Sequence, residues 1–260
     1  MRAIVLSAGQ GKRLLPLTAA IPKCLLPVDG ERSVLELQLE ALADCGVSRV
    51  SVVSGFGLER VERFLARSPV AGLAVDVIYN PFFSVSDNLA TCWVARESMG
   101  EDFVLLNGDT LFEPAVLRRL LGSPPRPITV TIDHKEDYDD DDMKVSLDDD
   151  GRLLAIGKAL KPERVHGESI GMLCFRGTGP ARFRAAVEHA MRTPEALRAW
   201  YLSVVNGLAQ DGVVETASVR GLWWREIDSR EDLEEARHAL RAHRAGSAKG
   251  AGSAKVAGVR

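Results

Sequence analysis

The chain has 260 residues, 46% of them hydrophobic, enough to bury the core of one large α/β domain or two small ones. Its formal net charge of −3 excludes a global field for nucleic acid or for a membrane surface, so any anion site must be local. No apolar run approaches the roughly 20 residues of a membrane span, and Met1 leads straight into RAIVLSA without a leader pattern, so a cytoplasmic protein is expected.

In chain order, RAIVLSA reads as a buried strand and SVLELQLEALADCG as a helix, with Ser33 as N-cap and Gly46 as its stop. VSRVSVVSG, LAVDVIYN, DFVLLNGD and PITVTID follow as strands, separated by the helical stretches LERVERFLARS, DNLATCWVARESMG and EPAVLRRLLG. This alternation predicts βαβ units: a Rossmann-like α/β fold with a mixed, mainly parallel sheet and helices on both faces. Beyond Asp133 the pattern changes. MKVSLDDDGRLLAIGK predicts a hairpin turning at Asp150-Gly151, and ESIGMLCF predicts another strand. Helices are expected around Pro180–Met191 and Pro194–Gln210, then a strand at VVETASV and a last helix at SREDLEEARHALRAH. The stretch from Gly246 on is rich in Gly, Ser, Ala and Lys and reads as a disordered tail, residues 246–260. The expected organisation is one domain over 1–245, with two halves at 1–133 and 134–245. Cys24, Cys45, Cys92 and Cys174 show no metal spacing; Cys45 and Cys92 fall in helical stretches and read as buried thiols.

The segment LSAGQGKRLLPLTAAIPKCLLPV, directly behind the first strand, holds two glycines, two lysines, an arginine and three prolines. Ligands of open α/β sheets bind where such strands end, and backbone NH groups of a glycine-rich turn form a concavity that suits phosphate. A dinucleotide fingerprint would need glycine at Leu14, and a P-loop would need GxxxxGK[ST] where the chain has GQGKR; both are rejected. What stands is GxGxR, then PLT, then PK. From Leu6 to Val28 the chain resembles the sugar-phosphate nucleotidyltransferase superfamily. That resemblance implies that Ala8, Gly9 and Gly11 wrap the nucleotide, that Arg13 meets the outgoing phosphates and that Lys23 meets the transferred phosphoryl group. Lys12 reads equally well as a solvated surface charge.

The same resemblance implies Mg²⁺ held by Asp109, in LLNGD, and Asp228, in REIDSREDL; each Asp also reads as a residue opening a helix. Glu226 would share a strand face with Asp228, to assist the metal or only to be solvated. The run EDYDDDDM reads as a flexible, solvated loop. YNPFFSVSDNLATCWVA resembles the branch of the superfamily containing phosphocholine and phosphonate cytidylyltransferases. On that resemblance Asn88 and Ser86 face a pyrimidine, although Ser86 and Asp87 serve equally as helix caps. DDDDMKV, AIGKAL and GESIGMLCF resemble the same branch and make Lys144 and Lys158 candidates for an acceptor phosphate or phosphonate, with Glu168 orienting Lys158 or contacting the acceptor. At most one of Trp223 and Trp224 points into a pocket, because adjacent strand residues face opposite ways. The expected partners are a nucleoside triphosphate, CTP above the others, and a small phosphate or phosphonate acceptor, with no nucleic acid and no membrane; a homodimer is left open. The expected activity is nucleotidyl transfer with release of pyrophosphate. A sugar-1-phosphate nucleotidyltransferase using UTP, dTTP or GTP and a silent nucleotide-binding module are the rival readings.

Overall fold

A computed structural model describes residues 1–254, with side chains described for residues 1–242. The strands are β1 (Arg2–Ser7), β2 (Pro27–Asp29), β3 (Arg32–Ser33), β4 (Arg49–Ser54), β5 (Ala74–Tyr79), β6 (Phe103–Asn107), β7 (Thr110–Phe112), β8 (Ile128–Asp133), β9 (Lys144–Leu147), β10 (Leu153–Gly157), β11 (Gly167–Phe175), β12 (Val214–Ser218) and β13 (Trp224–Glu226). The helices are α1 (Val34–Asp44), α2 (Leu58–Arg67), α3 (Asn88–Val94), α4 (Pro114–Leu121), α5 (Gly179–Ala190), α6 (Tyr201–Ala209) and α7 (Arg230–Ala254).

Among the described residues nine strands form one sheet. Its main path runs β12-β8-β11-β6-β1-β4-β5, and every pairing along it is parallel except those of β11, which runs against both β6 and β8. The β9–β10 hairpin pairs through β9 with the start of β11. Strands from both halves of the chain therefore share one sheet. The period of two in β1 sends Ala3 and Val5 to one face, under α1, α2 and α4, and Ile4 and Leu6 to the other, under α3, α5 and α6. A third, smaller core joins Leu14 and Leu26 of the loop behind β1 to Ile227 and to Leu233 and Ala236 of α7.

Local chemistry accounts for the boundaries. Ser33 and Glu36 form a reciprocal capping box on α1, and Gly151 takes φ 81° in the β9–β10 turn. All four cysteines are free thiols, three of them buried, while Cys45 is only partly so. Two expectations need correction. The helix expected over Pro194–Gln210 is split: a 3-10 turn at Pro194–Arg198 ends before α6 begins at Tyr201, and the extended Trp200 lies between them. The start of α3 holds the break open: Asn88 accepts the Tyr201 NH at 2.9 Å in place of a helical carbonyl, and the Asp87 and Leu89 NH groups donate to the Leu197 and Ala199 carbonyls at 2.7 and 3.2 Å. The last helix runs on to Ala254, past the Gly246 at which a disordered tail was expected to begin. Residues 255–260 of that expected tail lie outside the described residues.

Candidate active site

The order of the sheet reverses at β1, between β4 and β6, and a cleft of about 740 Å³ opens at the carboxyl ends of these strands. Its floor is built by the loop behind β1. Gly11 takes φ 72°, and its carbonyl accepts the Thr18 hydroxyl at 2.8 Å, which folds the loop back on itself. A Cβ at Gly11 would stand 3.0 Å from the Lys23 side chain, so glycine there lets Lys23 pass beneath the turn.

Asp109 follows β6 through Gly108, whose NH donates to the Leu6 carbonyl at 2.9 Å. A Cβ on residue 108 would fall 2.1 Å from Ser7 Oγ, so only glycine lets the end of β6 approach β1 this closely. β13 pairs antiparallel with β7, and the Ile227 NH donates to the Asp109 carbonyl at 3.1 Å, which brings Asp228 beside Asp109. A capping arrangement fixes Asp228 from the other side: Asp232 accepts the backbone NH groups of Asp228 and Ser229 at 3.0 and 2.7 Å, and the Asp232 NH returns to Ser229 Oγ at 3.1 Å.

Lys23 Nζ donates to Asp109 Oδ2 at 2.7 Å and to Asp228 Oδ1 at 2.5 Å, with its side chain 12% exposed. Burial opposes its charge, but the two carboxylates outweigh burial and hold the ammonium above the ordinary lysine pKa. Arg13 Nη2 reaches Asp228 Oδ2 at 2.7 Å. Glu226 completes a trio with Asp109 and Asp228 in which one carboxylate oxygen from each lies within 4.8 Å of the others. Glu226 opens onto the cleft, but the protein packed around its carboxyl, followed by the charges of Asp109 and Asp228, pushes its pKa up to about 8. Asp109 Oδ1 is buried without a hydrogen-bond partner. An orphaned carboxylate oxygen within an all-oxygen donor set fits a hard divalent cation such as Mg²⁺.

Of the residues singled out in the sequence, Ala8, Gly9, Arg13, Ser86, Asn88, Asp109, Lys158, Glu168 and Asp228 line the cleft, while Gly11 and Lys23 shape it from below. Ser86 donates its hydroxyl to the Phe82 carbonyl at 2.8 Å, leaving its oxygen able to accept. Lys144 does not line the cleft. It is buried, and its ammonium donates to the carbonyls of Asp139 and Lys158. Glu168 does not orient Lys158 either; it pairs with Lys135 at 3.2 Å, and Lys158 pairs with Asp141. Burial and the neighbouring Asp142 push the Glu168 carboxyl up to about 7. The acidic run is solvent-exposed over most of its length, but it is also held in place: Asp139, Asp141 and Asp142 line the cleft and are fixed by hydrogen bonds and ion pairs. Trp224 lines the cleft and donates Nε1 to Asp133 at 2.7 Å, whereas Trp223 packs on the small core under the loop.

Two cleft residues, Trp200 and Lys135, have no motif in the sequence that marks them. Lys158 Nζ sits 4.8 Å from the Trp200 ring centre, a cation–π contact made by two segments with no common spacing. The one available signal is an aromatic pair, Trp200-Tyr201, set in an otherwise ordinary helical pattern.

A sheet with this switch point, a glycine turn, two cations and a carboxylate trio at its edge give an α/β protein a site whose donors suit a metal-bound polyphosphate. Residues 3–206 match the MobA-like NTP transferase domain, and the chain belongs to that family. It is 33% identical over 254 residues to the CMP-5'-(3-aminopropyl)phosphonate synthase of Streptomyces rubellomurinus, covering 91% of this chain and 38% of that one. It is 28% identical over 163 residues to the 2-aminoethylphosphonate cytidylyltransferase of Lancefieldella rimae, covering 60% of each. The chain thus spans less than two thirds of the length of either relative. The inositol-1-phosphate CTP transferase from T. maritima shares the fold, with a TM-score of 0.75 at 22% identity over 91% of this chain and 94% of that one.

Proposed function

We propose that this chain is a nucleotidyltransferase that moves CMP from CTP onto a small phosphate or phosphonate acceptor and releases pyrophosphate. Residues 1–245 would act as one catalytic domain, with 1–133 holding the nucleotide and 134–245 the acceptor. The observation that carries the reading is the cluster of Asp109, Glu226 and Asp228 with Lys23 and Arg13 at the β1/β6 switch point. Asp109, Asp228 and Glu226 would hold Mg²⁺, which when bound neutralises charge on phosphate oxygens.

This chain's own residues do the rest. The turn at Ala8, Gly9 and Gly11 cradles the triphosphate with backbone NH groups. Lys23 offers a preorganised charge to the phosphoryl group being transferred, and Arg13 offers a fork of donors to the outgoing phosphates. The acceptor oxygen is already anionic, so in-line placement and charge neutralisation suffice without a general base. Lys158 binds the acceptor's phosphate or phosphonate beside Trp200. Ser86 and Asn88 present polar groups to the base. The named cytidylyltransferases among the relatives support cytosine over the other bases.

The test is pyrophosphate release with each of CTP, UTP, ATP, GTP and dTTP against phosphocholine, 2-aminoethylphosphonate and glucose-1-phosphate. CTP should exceed UTP by about tenfold or more in kcat/KM, the scale of leaving one buried polar atom unpaired. A preference for UTP or dTTP with the sugar phosphate would overturn the choice of base and acceptor together.

A further inference from the structure

The acidic run between β8 and β9 is folded by its own side chains. Asp139 Oδ1 accepts the backbone NH groups of Asp141 and Asp142 at 2.7 and 3.1 Å, and Asp142 Oδ2 accepts the Asp139 NH at 2.7 Å. Asp142 also pairs with Lys135 at 2.7 Å, and Lys144 holds the Asp139 carbonyl from beneath. Two of the three cleft-lining acids, Asp139 and Asp142, are thereby committed to the loop, and the loop presents the third. The Asp141 side chain is 68% exposed, with its carboxylate directed into the cleft.

Each Asp141 oxygen takes a different cation. Oδ2 accepts from Arg13 Nη1 at 3.1 Å, and Oδ1 accepts from Lys158 Nζ at 2.9 Å. These cations come from opposite halves of the chain, Arg13 from the loop behind β1 and Lys158 from the end of β10. The two oxygens of one carboxylate thus join two positive groups as two oxygens of a phosphoryl group would. Hydrogen bonds from Lys158, then the charges of Lys158 and Arg13, hold the Asp141 carboxyl below the ordinary aspartate value.

We propose that the space between Arg13 and Lys158 is a phosphoryl subsite that Asp141 fills as a tethered stand-in until a substrate phosphoryl group displaces it. The proposal rests on the nucleotidyltransferase reading above. Solvent-exposed ion pairs are individually weak, whereas a phosphoryl dianion offers more charge and three oxygens to the same donors, so it wins the exchange. The phosphoryl group is either the acceptor's or one of the triphosphate's, since both are chemically suited to an arginine and a lysine set on opposite walls. Lys158 reports the exchange through Trp200, because a new partner for its ammonium alters the cation–π contact.

The test is calorimetric titration of the full chain, with tryptophan fluorescence followed in parallel and the Trp200 share taken as the part lost in Trp200→Phe. The probes are inorganic pyrophosphate, for the triphosphate, and methylphosphonate, for the acceptor. Asp141→Asn should bind one probe about tenfold more tightly than wild type, and adding Lys158→Met should remove that gain. The probe that gains identifies the source of the phosphoryl group. Asp140→Asn, which deletes the same charge one residue away, should leave both affinities within about twofold. Equal or weaker binding by Asp141→Asn would overturn the proposal, as would equal tightening by Asp140→Asn, which would reduce the effect to net charge. If Asp141→Asn tightens a probe while no triphosphate turns over with any acceptor, the subsite stands and the enzymatic reading fails. If wild type turns over but Asp141→Asn tightens neither probe, the enzymatic reading stands and the subsite fails.

Discussion

Two irregular segments face each other across the cleft and are ordered by different means. The glycine turn behind β1 is shaped by its backbone: a left-handed Gly11, a glycine at 108 where β6 crowds β1, and apolar anchors at Leu14 and Leu26 in the small core with α7. The acidic loop at 135–142 is shaped by charge: carboxylates accept backbone NH groups, and lysines close the ring. Backbone-determined shape persists whatever the ionic conditions. Side-chain-determined shape yields to a competing ion. In the proposed reaction the first would serve as a fixed cradle for the nucleotide, the second as a wall that exchanges partners.

The largest effects should come from the fixed side. Asp228→Ala should lower turnover by about a thousandfold or more in the pyrophosphate assay, since it removes a partner of Lys23, a partner of Arg13 and a candidate metal ligand together. Its far-UV spectrum should stay that of wild type, because Asp228 sits at a strand end outside the core. Near-wild-type turnover at saturating magnesium would remove the carboxylate trio from the mechanism. Lys23→Ala should cost kcat about a hundredfold, the scale of one preorganised charge contact, while the exposed Lys12→Ala stays within about twofold. Equal losses would erase the distinction between a lysine held under the turn and one in solvent. Gly11→Ala comes next. A Cβ at φ 72° costs about 1–2 kcal/mol in backbone strain and presses on Lys23, so thermal stability and kcat should fall together. Unchanged kcat in a destabilised protein would show that Lys23 does not depend on the turn.

On the loop side, Lys144→Met should raise KM for the acceptor more than KM for CTP. The buried ammonium touches neither substrate in the proposed arrangement; it pins the Asp139 and Lys158 carbonyls together, so its loss acts through the placement of Lys158. Rescue by Lys144→Arg, or a kcat effect alone, would contradict a role in positioning by a compact ammonium.

This asymmetry also explains what the sequence can reveal. The sheet, its helices and the cradle are legible because periodicity of two, glycine at forced backbone angles and capping residues such as Ser33 and Ser229 act over a few neighbours. Asp109 and Asp228 are reached from the sequence through the resemblance of LLNGD and REIDSREDL to family motifs; what the fold adds is that their carboxylates meet beside Lys23. The partners of Glu168 and Lys158 are not legible, because those contacts join β11 to Lys135 and β10 to Asp141 across the fold. Composition alone gives the acidic run the look of a solvated stretch; its order comes from short-range bonds that composition does not show, with Asp139 and Asp142 accepting backbone NH groups two or three residues away and Lys135 and Lys144 closing the loop. The split before α6 is hidden too, since the segment that holds it open, at the start of α3, lies more than a hundred residues upstream.

The smallest expected effect tests the charge-built wall through its protons. Burial, then Asp142, pushes Glu168 up to about 7, while burial works against Asp142 but hydrogen bonds from Lys135 and Glu168 hold it below its ordinary value. Glu168 is therefore the member of the pair that carries a proton near neutrality. A carboxyl whose folded pKa lies above its unfolded one, here about 7 against 4.5, contributes stability that is fully present below pH 4.5 and is lost as pH rises through 7. Glu168→Gln keeps a neutral side chain that can donate and removes the titration. Melting curves of the two proteins should run close together at pH 5 and separate as pH reaches 8, with the variant higher by about 2–4 °C, the span of about 1 kcal/mol in a domain this large. Gly11→Ala, which perturbs the backbone-built side, should instead lower Tm by an amount independent of pH over the same range. Parallel curves for Glu168→Gln and wild type would mean that the loop's order does not depend on that shared proton, and that its shape is as insensitive to protonation as the glycine turn opposite.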